Sequence, residues 1–321
     1  MNTTVPIILS APKIIDLLKK IDLISVIEEG FISLSSDKAI IPPVGELLFD
    51  NPKGETHIKY GYIFQQPYFV IKIASGFYDN PKLGIKSSQG VMLAFSQQTG
   101  EIVAVLLDEG YLTDIRTVIA SMITIKHLAP KKITCIGIIG TGIQAKLQLE
   151  YLRQVTNCKN IMIWGRNQEK AIALKEGFLN PEYTITVTSS LDILADTCNV
   201  IITTTPSEEP LLTWRQVKKG THITAIGSDT PKKIELETDI IKHADLIVSD
   251  SINQSKTRGE IYNARLDNCL DEKKLIELGT LLNNNTLGRQ NDQQITVADL
   301  TGVAVQDIMI TSAIINTYKS Q

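Results

Sequence analysis

Cysteine is scarce in this chain. Four occur in 321 residues (Cys135, Cys158, Cys198 and Cys269), and no two form a CxxC pair. The four histidines do not gather around them, so the close ligand pairs of a structural zinc site are missing and no metal is expected. The thiols read as buried or incidental ones in a reducing compartment, which points to the cytoplasm. An excess of one charge is missing too: 32 Lys+Arg against 35 Asp+Glu leaves a net −3. A general nucleic-acid binder needs a concentrated basic footprint to displace counterions, so no nucleic-acid partner is expected. No apolar run approaches the roughly 20 residues that span a bilayer. Met1-Asn2-Thr3-Thr4 lacks the basic start and apolar core of a signal peptide, so no membrane partner is expected either. Repeats of about 20–50 residues are absent, which excludes solenoids and propellers. With 43% hydrophobic residues, the chain is long enough for one large or two medium soluble domains, and an enzyme is expected.

The hydrophobic pattern changes period along the chain. Ile14, Ile15, Leu17 and Leu18, then Leu23, Ile24, Val26 and Ile27, recur at helical spacing and predict one helical segment that stops at Pro42-Pro43. Residues 44–50, 57–65, 68–75, 90–97 and 102–108 read as strands separated by turn signals such as Asn51-Pro52, Asn80-Pro81 and Thr99-Gly100. Together they predict an antiparallel meander beside helices. A helix is expected over 113–128. From there, short apolar runs at 133–139, 160–165, 184–188, 199–204, 222–226, 245–249 and 294–299 alternate with helical stretches. Strands buried on both faces give such continuous apolar runs, so the fold class is α/β with a doubly wound parallel sheet. A final helix over 302–319 is expected to pack back on the first domain. The expected division is therefore residues 1–116 with 302–321, and residues 117–301.

The sharpest local signal is Ile138-Ile139-Gly140-Thr141-Gly142-Ile143-Gln144-Ala145, which follows a strand and opens a helix. In that context Gly140 permits the tight turn, Gly142 lets the backbone approach a pyrophosphate at the positive helix end, and Ala145 is the small third residue. The alternative is an ordinary tight turn between strand and helix. An Asp or Glu at the end of the second strand would hold the ribose hydroxyls of NAD, but Ile161-Met162-Ile163-Trp164 runs into Gly165-Arg166-Asn167. An arginine with a polar neighbour suits a 2′-phosphate, so NADPH is the preferred cofactor, with NADH also admissible. A solvated loop cation is the other reading of Arg166.

Four further residues stand out. With Thr113 as N-cap, Arg116 falls near the third helical position, where a cation opposes the helix dipole. Free N–H groups, a hydroxyl and a guanidinium at one helix end make an anion receptor for a substrate carboxylate, a cofactor pyrophosphate or both. A salt bridge to Asp114 or Glu109 is the alternative. In Phe69-Val70-Ile71-Lys72-Ile73-Ala74, strict alternation puts Lys72 on one face with Val70 and Ala74. A lysine there is either desolvated and poised for proton transfer or at a strand edge with its amine in water. Lys59 is a weaker case of the same kind. Asp229 lies just past the carboxyl end of a parallel strand, the edge at which open α/β sheets bind ligands, or else caps the turn before Pro231.

Taken together, Gly140–Ala145, Leu112-Thr113-Asp114-Ile115-Arg116-Thr117, Gly227-Ser228-Asp229-Thr230-Pro231 and Gly288-Arg289-Gln290 through Asp299-Leu300-Thr301-Gly302 resemble the ornithine cyclodeaminase/mu-crystallin family over nearly the whole chain. The resemblance implies a Rossmann-type dinucleotide domain joined to a discontinuous α+β substrate and dimerisation domain, and a homodimer. It also implies that Lys72 is the active-site lysine, Arg116 the carboxylate- and cofactor-binding arginine, and Asp229 a catalytic acid. Thr301 and Lys59 are implied as substrate contacts. On the cofactor side it implies Thr117, Gly140, Gly142, Ile143, Gln144, Arg166, Asn167 and Thr204, with Ser87 and Lys233 flanking the nicotinamide or ribose. One departure matters. Many members carry an arginine after a Pro-x pair, where this chain has Pro43-Val44-Gly45. That second carboxylate clamp is missing unless Lys59 or His57 replaces it, which weighs against ornithine as substrate.

Three chemistries are then open: cyclising deamination of ornithine, reduction of cyclic ketimines, and oxidative deamination of an alanine-type substrate. Gly45, Arg166 and the segment Asp299–Asp307, which looks like that of bacterial pyrroline-2-carboxylate reductases, favour reduction of Δ1-pyrroline-2-carboxylate to L-proline. The six-membered Δ1-piperideine-2-carboxylate, giving L-pipecolate, is a second expected substrate. A dinucleotide-binding protein without turnover is the alternative from another class, and Lys72, Arg116 and Asp229 together speak against it.

Overall fold

The alternation of apolar runs and turn signals resolves into two units. One is the chain as far as Arg116 together with Val303–Gln321, and the other is Thr117–Gly302. The structure is a computed structural model that describes residues 5–77, 79–178 and 180–321. The signal-peptide reading of residues 1–4 lies outside the described residues.

In the first unit, β1 (Ile7–Ser10) passes directly into α1 (Ala11–Leu18), and α2 (Leu23–Ser35) follows. The single helical segment expected here is corrected to a strand and two helices. Asp22 takes a non-helical backbone (ψ 89°), and its carboxylate accepts the Ser25 N–H at 3.2 Å, so it caps a new helix and cannot continue the old one. Next come β2 (Ala39–Ile40), β3 (Gly45–Phe49), β4 (Gly54–Ile63), β5 (Tyr68–Phe77), β6 (Ser88–Ser96) and β7 (Ile102–Leu107). Their order across the sheet is β1-β7-β6-β5-β4-β2, with β3 also paired to β4. The expected antiparallel meander runs from β3 to β7, but β1 joins β7 in parallel, because the chain crosses over through α1 and α2 before entering the meander.

Alternation along β5 buries Tyr68, Val70 and Lys72 on one face, against which the C-terminal helix (Ala304–Lys319) packs together with α2. A Cβ at Gly30 of α2 would sit 2.8 Å from Met309 Cγ, so the missing side chain sets how closely these two helices approach. The opposite sheet face is apolar as well. Tyr60 and Tyr62 are exposed there, and Phe69 stacks on Phe95 with ring centroids 4.8 Å apart.

The next helix, α3 (Tyr111–Leu128), begins two residues before the Thr113 cap predicted for it. Asp108 takes the capping role: its carbonyl accepts the Tyr111 N–H at 3.0 Å and its carboxylate the Leu112 N–H at 2.9 Å. Glu109 and Gly110, with φ of 54° and 83°, make the turn between them. Arg116 therefore sits in the second turn of α3, and the helix-end anion receptor expected around it is corrected accordingly.

The second unit alternates strand and helix: β8 (Ile136–Ile139), α4 (Ile143–Tyr151), β9 (Asn160–Trp164), α5 (Gln168–Gly177), β10 (Thr184–Thr188), α6 (Leu191–Thr197), β11 (Val200–Thr203), β12 (His222–Ala225), α7 (Thr238–His243), β13 (Leu246–Ser249), α8 (Glu260–Leu266), β14 (Leu275–Glu277), α9 (Leu278–Asn283) and β15 (Thr296–Asp299). The C-terminal helix is α10. The strands pair in parallel in the order β10-β9-β8-β11-β12-β15-β13-β14. Every residue of β8, β11, β12, β13 and β15 is buried, as expected of strands covered on both faces. The chain winds outward in both directions from β8, so the order reverses between β8 and β11, the switch point of a Rossmann-type sheet. The short β14 was not expected. Among the described residues, no helix is long and apolar enough to cross a membrane.

Candidate active site

The candidate residues fall into two sets, one in each unit. In the first unit Lys72 lies in the sheet interior, opposite Lys59 of β4 and Met92 of β6, and is 2% exposed. Its Nζ is 3.3 Å from Asp307 Oδ2, and Asp307 Oδ1 is 3.3 Å from Arg116 Nε. All three side chains are buried. Burial pulls the Lys72 ammonium down to about 8; the Asp307 carboxylate works against that, and the Arg116 guanidinium adds to it. The ion partner of Arg116 is thus Asp307, while Glu109 pairs with Lys86 at 3.0 Å.

The local fold explains how these groups meet. Asp307 and Gln306 stand in the first turn of α10, where Gln306 Oε1 accepts the Val303 N–H at 2.9 Å. The same carboxamide grips Arg116, accepting from Nη1 at 3.2 Å and donating to the Arg116 carbonyl at 3.0 Å. A guanidinium and an ammonium that share one carboxylate, in an apolar setting, can take a second carboxylate from a substrate and can release a proton. Lys59 is buried beside Lys72 on β4. His57 lies between Glu46 and Glu55, at 3.6 and 3.7 Å. Ser87 is half-buried, and its carbonyl accepts the Phe77 N–H at 2.9 Å.

Asp307 and Gln306 were missed as site residues, because an acid in the first turn of a helix ordinarily reads as a surface complement to the dipole. A usable signal was present. Ala304-Val305 and Ile308-Met309-Ile310 flank Asp307 with apolar residues, and residues 304–312 are buried at every position, so an acid there needs a polar or charged partner.

In the second unit the glycine turn joins β8 to α4. Gly140 has φ 132°, and a Cβ there would collide with the Thr204 hydroxyl, so both the conformation and the space require glycine. Thr204 braces the turn: its N–H and hydroxyl both donate to the Ile139 carbonyl, at 2.9 and 3.1 Å. A Cβ at Gly142, by contrast, would meet nothing within 4 Å. α4 starts there without a side-chain cap, whereas Asn167 caps α5 and Ser190 caps α6. An open backbone at an uncapped helix start fits the pyrophosphate of a dinucleotide. Ile143 is exposed on the first turn, Gln144 is half-buried beside it, and Ala145 packs inward. Arg166 is exposed at the end of β9, and the Asn167 carboxamide accepts the Lys170 N–H at 3.0 Å. Thr117, the first residue of this unit, lies in α3.

The remaining candidates belong to the loops after the strands. Asp229 pairs with Lys233 at 2.7 Å. Thr301 is buried, its hydroxyl donating to Asp250 at 2.9 Å and accepting from Gln254 at 2.8 Å. Glu235 and Glu260, which sequence reasoning passed over, are fully buried beneath these loops, and burial pushes both carboxyls above the usual carboxylate range.

The chain belongs to the ornithine cyclodeaminase/mu-crystallin family, whose sequence model matches residues 4–321. It is 38% identical over 294 residues to an uncharacterized cyclodeaminase of Sinorhizobium fredii, covering 90% of this chain and 88% of that protein. It is 32% identical over 282 residues to a Delta(1)-pyrroline-2-carboxylate reductase of Bacillus thuringiensis subsp. konkukian, with 86% and 85% of the two chains covered. Among solved structures, an archaeal alanine dehydrogenase dimer with bound NAD matches at TM-score 0.87 and 30% identity, over 98% of this chain and 96% of that one.

Proposed function

We propose that this chain is an oxidoreductase that reduces the C=N bond of a cyclic 2-imino acid, converting Δ1-pyrroline-2-carboxylate to L-proline and, as a second substrate, Δ1-piperideine-2-carboxylate to L-pipecolate. The observation that carries this reading is the buried Lys72–Asp307–Arg116 set, in which an ammonium able to give up a proton near pH 8 stands beside a guanidinium. Reduced nicotinamide, when bound, supplies the hydride that goes to the imine carbon. Arg116 pairs with the carboxylate on that carbon and fixes its orientation. The Lys72 ammonium gives its proton to the ring nitrogen, since a protonated imine is the better hydride acceptor, and is left as the neutral amine. Asp229, ion-paired to Lys233, is the second candidate for that proton.

On the cofactor side, Gly140, Gly142, Ile143 and Gln144 would hold the pyrophosphate, and Arg166, at a strand end without an acid, favours the 2′-phosphate of NADPH over NADH. A homodimer is supported by the apolar sheet face bearing Tyr60, Tyr62, Phe69 and Phe95, and by the dimeric archaeal relative. The free cysteines fit a cytoplasmic protein.

The test is to mix the purified chain with each cyclic imino acid and either NADPH or NADH and follow the absorbance of the reduced nicotinamide. Consumption is expected with both imines, faster with NADPH, from a species of twice the chain mass in light scattering. Ammonia release from L-ornithine with NAD+, without imine reduction, would replace this reading with the cyclodeaminase. NADH formation from L-alanine alone would replace it with the dehydrogenase.

A further inference from the structure

Several elements place a residue beside Lys72. Lys59 lies across from it on β4 and Met92 on β6, Arg116 comes from α3, Asp108 from the turn before α3, and Asp307 from α10. Arg116 is a cation. Asp108 is pushed by burial toward its neutral form, and its carboxylate is engaged by the Leu112 N–H at 2.9 Å. Asp307 is the carboxylate in contact with the ammonium, and it is shared with Arg116 at the same 3.3 Å. Both contacts are longer than the roughly 2.7–2.9 Å of a tight charge-assisted hydrogen bond, so neither cation is locked to it.

We infer that Asp307 is a positioning residue for the proposed reduction. It touches neither substrate nor cofactor, but holds Lys72 in its charged, proton-giving form and keeps Arg116 beside it. The inference rests on the reading of Lys72 as the proton donor. In the step concerned, an Nζ–H bond of Lys72 breaks and an N–H bond forms on the imine nitrogen. The imine carbon gains the hydride and its electron pair from the reduced nicotinamide, which is oxidised. Asp307 keeps its charge and makes or breaks no bond. Without that carboxylate, burial and the Arg116 charge act on Lys72 unopposed, and the amine is neutral at the pH where it must donate.

The experiment is Asp307→Asn, read in two ways. In the parent, kcat/KM for imine reduction is expected to fall above about pH 8 as Lys72 loses its proton. In the variant that alkaline limb moves down by one pH unit or more, so the loss is about fivefold or greater at pH 8, about tenfold or greater above pH 9, and at most a few-fold at pH 6. Separately, the Lys72 amine is titrated by NMR in protein carrying 15Nζ-lysine, with the signal assigned by its absence in Lys72→Met. Its midpoint drops in Asp307→Asn. An equal loss of activity at every pH, with an unmoved Lys72 midpoint, overturns the inference and leaves Asp307 a packing residue. A lowered midpoint in a chain that reduces no imine overturns the reaction while leaving the hold of Asp307 on Lys72 standing. Should Asp307→Asn melt below the assay temperature, Asp307→Ser, which leaves room for a water beside Lys72, is read the same way.

Discussion

The buried Glu235 of one unit and the buried Asp307 of the other are held in different ways. In Thr117–Gly302 the buried carboxylates of Glu235, Glu260 and Asp250 accept from backbone N–H groups and neighbouring hydroxyls. Glu235 accepts from the Thr205 and Gly227 N–H groups at 2.6 and 2.9 Å, and from the hydroxyls of Thr203 and Thr205 at 2.7 and 2.8 Å. Glu260 accepts the N–H groups of Glu235 and Leu236, and Asp250 accepts the Gly302 N–H. These bonds pin the loops that leave β11, β12 and β15, and none can be given up without freeing a loop. In the other unit Lys72, Arg116 and Asp307 rely chiefly on one another, at 3.3 Å and from three different elements. A carboxylate held by fixed dipoles is part of the scaffold. A carboxylate shared between two cations at 3.3 Å leaves each cation able to take a substrate's as well, so the shared charge marks the chemistry.

The comparison breaks most visibly through Lys72 and Glu235. Lys72→Met is expected to lower kcat/KM for imine reduction by about 10³-fold, within the range of a lost general acid. Asp307 keeps Arg116, so the unfolding free energy in urea should change by less than about 2 kcal/mol. Glu235→Ala should do the reverse in stability terms. It strands two backbone N–H groups and two hydroxyls in a fully buried place and should cost about 3–5 kcal/mol in the same titration. Equal losses of stability in the two variants would erase the distinction between scaffold charge and working charge.

The sequence disclosed these two kinds of charge unequally. The parallel sheet was legible because its strands are buried on both faces, and runs such as Ile136–Ile139 and Leu246–Ser249 leave no other reading. Lys72 was legible because a cation on an apolar strand face is conspicuous under strict alternation. β1 was not, since four residues running straight into Ala11-Pro12 look like the start of the helix. Nor was the start of α3, where Asp108 caps from beyond two residues of positive φ while Thr113 offers a more familiar cap. The pairing of Arg116 with its partners was out of reach, even though the apolar run around Asp307 hinted at burial. Gln306 lies 190 positions along the chain, and only the folded sheet and α10 bring it to the guanidinium. Local patterns report on burial and turns, whereas a charge pair between distant elements leaves no periodic trace.

The finest discrimination comes from Asp299, a scaffold acid that carries a cost. Burial pushes its carboxyl up to about 7, and the neighbouring Asp250 and Glu235 charges push the same way against the Ile261 N–H that it accepts at 2.9 Å. Its folded value therefore lies above the ordinary 3.8, and between those limits the folded chain binds the proton that the unfolded chain has lost. The stability it contributes is fully present below about pH 3.8 and is lost as pH rises through about 7. Asp299→Asn keeps an oxygen for Ile261 and removes the titration. Relative to the parent, the variant should gain stability steadily from pH 4 to pH 7 and then level off, by on the order of 2–4 kcal/mol in all. Urea titrations at one-unit pH intervals read the difference directly. A flat difference would mean that Asp299 titrates alike in the folded and unfolded chain, and the contrast between fixed dipoles and shared ions would then have to rest on the first unit alone.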